Sequence, residues 1–401
     1  MAPPPIAPPR MARPLMDNGA HLEAAALSLL RGESVARVAC AAGYAGAAPF
    51  ARDFLRRLHV APEALRRWQS AGRYRLVYGG PFHLEQTLSY LGRDPGNLAE
   101  RVRGRRYERL FPVGEAALPV SLALGTTFCT VEARRPRSAR RALELHALLV
   151  RFLGLAKPLS PFYRSAAGHP VMGPLVRRFA GVRIPQLPTL WEALCWAVIG
   201  QQINLAFAYR LRNRLIALAH GIALNNGVAL DNSVAQENGV AQVNGLDDAA
   251  AAPYPFPTPA QVLRLSAAAL CAQQFSRQKA RYLLGLAEAC TAGDLAGLEA
   301  ASLEAAGLNH APRDWPDIER RLLAQTGLGP WSTAYAMMRG LGYLDGLPVG
   351  DTGLRTALQR AFRLSRPPTV AQQERLMEPF RPYRSLATYY LWKSLATPST
   401  D

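Results

Sequence analysis

The chain has 401 residues, 49% of them hydrophobic, so it can bury the cores of roughly two to four domains. Its 47 Lys and Arg residues outnumber 29 Asp and Glu residues, giving a formal charge of +18, which is typical of proteins that meet a polyanion such as nucleic acid. Five scattered cysteines exclude a disulfide framework and a cysteine metal cluster. With no apolar run of about 18 residues and no signal-peptide core, the sequence predicts a cytoplasmic protein without membrane contact.

The first part of the chain is predicted to be a leader followed by short helices. Residues 1–20 are rich in proline and predict a disordered leader by composition. From 21 to 70 apolar residues recur at helical spacing, with Ser34 placed to cap one helix, Gly43 to turn the chain and Pro62 to open another helix. Two short helices joined through a glycine-containing turn predict a helix-turn-helix module.

The apolar period changes twice beyond this module. Residues 73–154 alternate strand-like and helical segments and predict a small α+β domain. Residues 160–395 have a helical pattern, interrupted by the polar, repetitive segment 223–257, which predicts a flexible insertion without chemistry. The expected fold class is therefore mostly α with a small α+β domain.

One glycine-rich turn stands out within the helical part. A helix is predicted to end near Thr326, the stretch from Gly327 to Gly329 forms a tight hairpin, and Pro330 suits the first turn of the next helix. Two glycines let a ligand approach the backbone, and a fresh helix N-terminus offers free N–H groups to a phosphate. On its own such a turn is most often a simple helix connection.

The surrounding motifs give the hairpin its meaning. TGLGPWSTAY is followed by LPVGDTGLR, preceded by LWEALCWAVIGQQINLAFA and completed by RPYRSLATYYLWKSL near the end of the chain. From about Arg73 to Lys393 the sequence resembles the helix-hairpin-helix-Gly/Pro-Asp superfamily of DNA glycosylases, and within it the DNA-3-methyladenine glycosylase II (AlkA-type) family. The resemblance implies the helix-hairpin-helix glycosylase fold, an α+β domain followed by two helical subdomains with the active cleft between them.

The resemblance also implies a catalytic carboxylate. Asp351 matches the family's aspartate, and it also stands where an aspartate caps the helix that follows. Both roles agree, because a carboxylate at a helix N-terminus sits beside a positive dipole end. Such a group can stabilise a sugar with oxocarbenium character, or guide the attacking water.

The type of glycosylase follows from lysines and cysteines. Bifunctional relatives attack the sugar with a lysine just after the hairpin, where this chain has Trp331, and its three lysines are distant in sequence. We therefore expect hydrolysis by water without strand cleavage. The iron–sulfur branch of the superfamily is excluded, because no cysteine follows Cys290.

Four aromatic residues are predicted to line the substrate pocket. Trp331 and Tyr335 lie one helical turn apart, while Tyr383 and Tyr90 match aromatic positions of the C-terminal segment and the α+β domain. Each taken singly is better explained by core packing. As a set beside an aspartate they suit an N-methylated purine, whose positive charge favours stacking on aromatic rings and makes the base a good leaving group.

Further residues are predicted to contact DNA through the hairpin and its neighbours. Gln201 and Gln202 match the segment that meets the gap beside a flipped nucleotide; the family pattern has Gln-Leu there, so Gln202 as the wedge is an open question. Lys279 and Arg281 stand where relatives often carry a basic residue, although a solvated helix face explains them equally well.

The N-terminal module resembles the second helix-turn-helix of AraC-type transcription regulators. Its recognition helix enters with small residues that cannot read bases, whereas Arg52, Arg56 and Arg57 could hold phosphates. The module is interpreted as a remnant with nonspecific DNA affinity at most.

These observations converge on one functional hypothesis. The chain is expected to be a monofunctional DNA glycosylase of base excision repair that releases 3-methyladenine and related alkylated purines from double-stranded DNA. It is expected to act as a monomer at the bacterial nucleoid, with no cofactor or metal site beyond a monovalent cation on hairpin carbonyls if the family pattern holds. A transcription regulator or damage-binding protein with an inactive glycosylase domain is the alternative, and a different lesion is a third.

Overall fold

The computed structural model describes residues 18–222, 253–298 and 313–396. Most of the predicted leader and residues 223–252 of the predicted insertion lie outside these ranges. None of the helices within them is long and apolar enough to cross a membrane.

Five helices open the described chain. As the sequence predicts, the Ser34 hydroxyl caps the second helix by accepting the amide N–H of Arg37 at 3.4 Å, and Pro62 occupies the first position of the fourth. The helices are α1 Asn18–Leu30, α2 Val35–Ala41, α3 Ala47–Leu58, α4 Pro62–Arg66 and α5 Trp68–Ala71.

A five-stranded antiparallel sheet follows, in the order β1-β5-β4-β3-β2. Its strands and helices are β1 Arg73–Val77, α6 Leu84–Leu91, β2 Glu100–Arg103, β3 Arg106–Val113, β4 Ala116–Leu124, β5 Phe128–Glu132 and α7 Ala139–Phe152. The alternating burial of β3 gives the sheet one covered face, against which α7 packs. The short edge strand β2 was absent from the sequence prediction, because its residues, ERVR, are too charged to give an apolar alternation.

The N-terminal helices and the sheet share one hydrophobic core. The Trp68 ring packs edge-on against Tyr74 at 4.7 Å, and its indole N–H donates to the Ala133 carbonyl. His146 of α7 contacts both the Tyr74 hydroxyl and the Leu58 carbonyl. The periodicity of the sequence changes between residues 21–70 and 73–154, but the two segments pack into the same hydrophobic core.

The helical part contains two further cores. Its helices are α8 Ser160–Ala166, α9 Met172–Arg178, α10 Leu190–Gly200, α11 Leu205–His220, α12 Pro259–Val262, α13 Ala267–Ala272, α14 Arg277–Ala292, α15 Trp315–Leu323, α16 Pro330–Ala336, α17 Thr352–Ala361, α18 Val370–Met377 and α19 Arg384–Ala396. A π-helical turn, Met337–Leu341, extends α16. The first core contains Met337 and the second contains Met338, so this turn lies between the two.

A buried ionic network joins the sheet to the helical part. Arg109 of β3 contacts Glu100 at 3.2 Å and also Glu192 of α10, while Arg212 of α11 contacts Glu192 at 2.8 Å. All four residues are at most 7% exposed. Burial alone would raise the pKa of Glu100, but the surrounding guanidiniums outweigh it and hold that pKa at about 2.

The last residues of the predicted insertion, 253–257, are fixed on both sides. The Tyr254 amide donates to the Leu98 carbonyl at 2.8 Å, and the Trp191 indole donates to the Pro257 carbonyl at 2.8 Å. These contacts hold the segment against the α+β and the helical parts, which its composition did not indicate.

Candidate active site

The predicted hairpin connects α15 to α16. Gly327 has φ of +96°, and a Cβ added there would overlap the ring of Tyr282, so only glycine fits. Gly329 stands at the N-terminus of α16, followed by Pro330, and an added Cβ would meet no atom within 4 Å. The first glycine is thus required by packing, while the second leaves the backbone open to a ligand.

Gln201 and Lys279 position the hairpin from behind. The Gln201 amide donates to the Gly327 carbonyl at 2.8 Å and to the Ser332 hydroxyl at 3.0 Å. The Lys279 ammonium donates to the carbonyls of Ile199 and Gln201 at 2.6 and 2.9 Å, which caps the C-terminus of α10. Both side chains form hydrogen bonds to other protein groups. Their direct role in this structure is therefore to fix the position of the hairpin.

Asp351 caps α17, as the sequence predicts. Its Oδ1 accepts the Leu354 amide at 2.6 Å and the Trp392 indole N–H at 2.9 Å, and its Oδ2 accepts the Trp331 indole N–H at 3.0 Å. The residue is half-buried. Since a carboxylate offers about four lone-pair directions, Oδ2 keeps one for a further partner.

Neighbouring glycines allow this arrangement. Gly350 has φ of +80°, which turns the chain into the cap. A Cβ added at Gly353 would lie 3.1 Å from the Asp351 Oδ1 and 3.3 Å from the Trp392 ring. The small residue therefore lets the indole approach the carboxylate.

Trp331 and Tyr335 form a stacked pair beside Asp351. Their ring centroids lie 5.6 Å apart with an interplanar angle of 22°. Burial raises the pKa of the Tyr335 hydroxyl; Arg93 acts against this, and the charges of Tyr209, Tyr389 and Asp351 raise it further. The hydroxyl therefore stays neutral and lies within electrostatic reach of the carboxylate.

Tyr90 joins this cluster from the α+β domain, but its ring is already engaged. The Arg93 guanidinium lies 3.9 Å from the ring centroid and that of Arg339 4.5 Å, and Arg339 also donates to the Tyr90 hydroxyl. These two guanidiniums compete with a cationic base for the π surface of Tyr90. The place of Tyr90 in the substrate pocket stays a prediction. Arg339 is fully buried, and burial lowers the pKa of its guanidinium.

Lys393 is distant from the hairpin in sequence but lies close to the aromatic rings in space. The Lys393 ammonium lies 5.8 Å from the centroid of Tyr90 and 5.5 Å from that of Tyr389. Burial, with the charges of Arg339 and Arg93, lowers the pKa of Lys393 to about 8. The reason is that α19 folds back against α17, which a distance along the sequence does not reveal.

Tyr383 lies apart from these rings. It precedes α19, and its ring centroid lies 6.0 Å from that of Phe162 in the second core of the helical part. Its place in the substrate pocket stays a prediction.

The remaining predicted DNA contacts are at or near the surface. Gln202 is exposed at the α10–α11 turn with φ of +55°, a strained conformation for a residue with a side chain. Arg56 and Arg57 of α3 both pair with Asp53, whereas Arg52 is exposed. Contacts to DNA by these residues stay predictions.

Sequence reasoning missed several residues of the site, above all Trp392. Arg93, Arg339, Tyr209 and Tyr389 were missed as well. A signal existed for one of them, since Tyr389 and Trp392 are three positions apart on one helix and therefore share a face. The arginines had none, because their partners come from distant segments.

No group of His, Cys, Asp and Glu within the described ranges could hold a metal ion. Of the hairpin carbonyls, that of Gly327 already accepts the Gln201 amide. The arrangement as a whole can place a carboxylate oxygen beside a flat aromatic surface. It can therefore stabilise a developing positive charge next to a stacked ring.

Known proteins resemble the chain in sequence and in fold. Residues 195–382 match the HhH-GPD superfamily base excision DNA repair protein family. The DNA-3-methyladenine glycosylase of Bacillus subtilis is 26% identical over 319 residues, 78% of this chain and 94% of the relative. The probable bifunctional transcriptional activator/DNA repair enzyme AlkA of Mycobacterium tuberculosis is 27% identical over 81% of this chain and 57% of the relative. The 3-methyladenine DNA-glycosylase structure from Archaeoglobus fulgidus has a TM-score of 0.62 and 19% identity, over 82% of this chain and 100% of that one.

These likenesses confirm the fold class expected from the sequence, mostly helical with a small antiparallel sheet. They do not favour the alternative of a regulator with an inactive glycosylase domain. The helix-turn-helix identity of the N-terminal helices stays a prediction. The hairpin, Trp331 and Asp351 all lie inside residues 195–382, the segment that matches the HhH-GPD superfamily of base excision DNA repair proteins, so this segment is an HhH-GPD domain.

Proposed function

We propose that the protein is a monofunctional DNA-3-methyladenine glycosylase, which hydrolyses the N-glycosidic bond of alkylated purines in double-stranded DNA. The observation that carries the proposal is the environment of Asp351. Three N–H donors orient the carboxylate, and among the described residues no cationic side chain forms an ion pair with it. Its negative charge is therefore available to a substrate.

The proposed mechanism begins with a nucleotide rotated out of the duplex. The base stacks beside Trp331 and Tyr335, and the sugar faces the free lone pair of the Asp351 Oδ2. As the bond to the base breaks, positive charge develops on the sugar and the carboxylate stabilises it. Water then adds to the sugar. An N-methylated purine leaves readily, so the mechanism assigns no general acid.

The absence of lyase activity is part of this proposal. Trp331 occupies the position where bifunctional relatives carry their lysine, and Lys279 is held by two carbonyls. Lys393 lies near the aromatic rings and has a pKa lowered to about 8, so it is the lysine on which the proposal is tested. Borohydride reduction during turnover would trap a covalent complex if any lysine formed a Schiff base. We expect no trapped complex; one that disappears in Lys393→Met would overturn the monofunctional assignment.

The activity itself is tested by product identification. Methylated genomic DNA is incubated with the protein, and the released bases are separated by chromatography. We expect 3-methyladenine to be released first, and 7-methylguanine more slowly. Release of only deaminated or oxidised purines would assign a different lesion as the substrate. Release of no base would rule out glycosylase activity.

The N-terminal helices have a subordinate role in the proposal. We assign residues 21–70 to an AraC-type remnant that reads no sequence, because its recognition helix begins with residues too small to contact base edges. A gel-shift comparison of random DNA with promoter fragments tests this, and a strong sequence preference would favour a regulator. The proposed working form is a monomer that acts on nucleoid DNA.

A further inference from the structure

Five arginines line a cleft on the α+β side of the molecule, at the outer end of α7. The cleft has a volume of about 440 Å³, and it lies where the α1–α2 connection, α4–α5 and the start of α7 meet. The arginine cleft, as we call it, is lined by Arg31, Arg66, Arg135, Arg137 and Arg140.

The charges of these arginines are only partly neutralised. Arg66 pairs with Glu63 at 2.6 Å and Arg140 with Glu144 at 3.5 Å. Within residues 18–222, 253–298 and 313–396, no carboxylate lies within ion-pair distance of Arg31, Arg135 or Arg137. Collecting like charges in one cleft costs free energy, which an anion would offset.

Arg135 gives the cleft a fixed base. Its guanidinium donates to the Leu30 carbonyl at 3.2 Å and to the Gln69 side chain, so it is held in one orientation. Arg31 and Arg137 on either side are exposed and can close on a ligand. Guanidinium groups suit phosphate, because their N–H groups match two of its oxygens at once.

We propose that the arginine cleft is a second phosphate-binding site, occupied by the backbone of duplex DNA at a distance from the lesion. This proposal rests on the proposed function only in taking duplex DNA as the source of the phosphate. It assigns the DNA affinity of the N-terminal helices to this cleft, and not to the recognition helix, whose Arg56 and Arg57 are paired with Asp53.

The length of α7 sets the reach of the site. At the far end of this helix, Arg151 donates to the carbonyls of Pro188 and Gly340, and Gly340 directly follows Arg339 of the aromatic cluster. The arginine cleft begins about 18 Å away along the helix axis, from the rise per residue. That distance corresponds to about five base pairs of duplex. The proposal therefore places the contacted phosphates more than about five base pairs from the lesion.

The test compares two duplex lengths by fluorescence anisotropy over a range of salt concentrations. Both carry a central abasic-site analogue, one with about five base pairs on each side and the other with about fifteen. The full chain is compared with the double variant Arg31→Ala/Arg137→Ala. Arg103→Ala/Arg105→Ala, at the exposed β2–β3 turn, removes the same charge elsewhere.

For the long duplex we expect the cleft variant to reduce the slope of log affinity against log salt by about one unit per lost phosphate contact. The affinity for the short duplex should not change, and the matched control should behave as the unmodified chain. Equal slopes for the cleft variant and the unmodified chain on the long duplex would overturn the proposal. So would an equal loss on both duplexes.

A second arm separates the two sources of phosphate. Inorganic phosphate and pyrophosphate are added to the unmodified chain, and the melting temperature is recorded. A rise that the cleft variant abolishes, together with unchanged binding of the long duplex, would assign the site to a free phosphate compound and overturn DNA as its occupant. Base release from the short duplex measures the proposed glycosylase activity separately. The proposed activity and the proposed phosphate site can therefore fail independently.

Discussion

Two groups of buried or half-buried carboxylates in this protein are held in opposite ways. Glu100 and Glu192, at the junction of sheet and helices, are matched by the guanidiniums of Arg109 and Arg212. Asp351, beside the aromatic cluster, is held by two indole N–H groups and one backbone amide. The first arrangement cancels charge, whereas the second fixes geometry and leaves the charge in place.

The difference separates a structural from a chemical use of the same functional group. A carboxylate neutralised by arginine helps to join the sheet to the helices, because its charge is balanced by an ion pair inside the protein. A carboxylate oriented by neutral donors keeps a field that a cationic transition state can use. Four substitutions would break or sharpen this contrast.

The largest effect is expected at the ionic network. Arg109→Met leaves Glu100 and Glu192 short of a partner in a buried place, which should cost about 3–5 kcal/mol of unfolding free energy. Urea denaturation measures it. On the same strand, Arg106→Met removes the exposed pair with Glu132 and should cost less than about 1 kcal/mol. Similar losses of unfolding free energy in both variants would show that the buried network stabilises the protein no more than an exposed ion pair does.

The next effect is expected at Asp351 and concerns activity. Asp351→Asn keeps a side chain that caps a helix about as well, so stability should change little, but base excision should fall by about 10²–10³-fold. Single-turnover release of 3-methyladenine measures this. Asp314→Asn, at the matching cap position of α15, is the control and should retain activity. Full excision by folded Asp351→Asn would reject the mechanism.

A smaller effect is expected from one of the donors. Trp392→Phe keeps the aromatic surface but loses the N–H donated to the Asp351 Oδ1. The lost orientation should lower kcat about tenfold, a barrier change of about 1.4 kcal/mol, with little change in KM. Trp315→Phe, in the stacked pair with Tyr343, provides the control. A change confined to KM would mean that Trp392 only binds the base.

The last effect is expected from Lys393 and depends on pH. Its pKa in the folded protein is about 8, below its ordinary value of 10.5, so between these values the unfolded chain binds the extra proton. The unfolding free energy of the unmodified protein should therefore rise with pH across this window, relative to Lys393→Met. Urea denaturation at several pH values measures the difference. Parallel profiles would show that Lys393 is not perturbed by the cluster.

The sequence sufficed for the features that local chemistry determines. Ser34, Pro62 and Asp351 were placed at helix starts from their capping preferences, and the hairpin from its glycines. The stacking of Trp331 on Tyr335 follows from their spacing on one helix. These features depend on a few neighbouring residues and therefore remain visible in one sequence.

Features that join distant segments were not accessible in this way. Trp392 donates to a carboxylate 41 positions earlier, and Arg339 contacts a tyrosine 249 positions earlier. The edge strand β2 is fixed by its pairing with β3 and not by its own apolar pattern. The Tyr90 ring, which the sequence predicts to line the pocket, contacts guanidiniums that come from both sides of the domain junction.

The indole of Trp392 has a consequence for how the protein matures during synthesis. Because this donor lies on the final described helix, the other groups that bind the carboxylate are synthesised before it. A nascent or prematurely terminated chain that stops short of Trp392 carries Asp351 without its full alignment. The proposed base excision therefore reaches its full rate only after translation has passed Trp392.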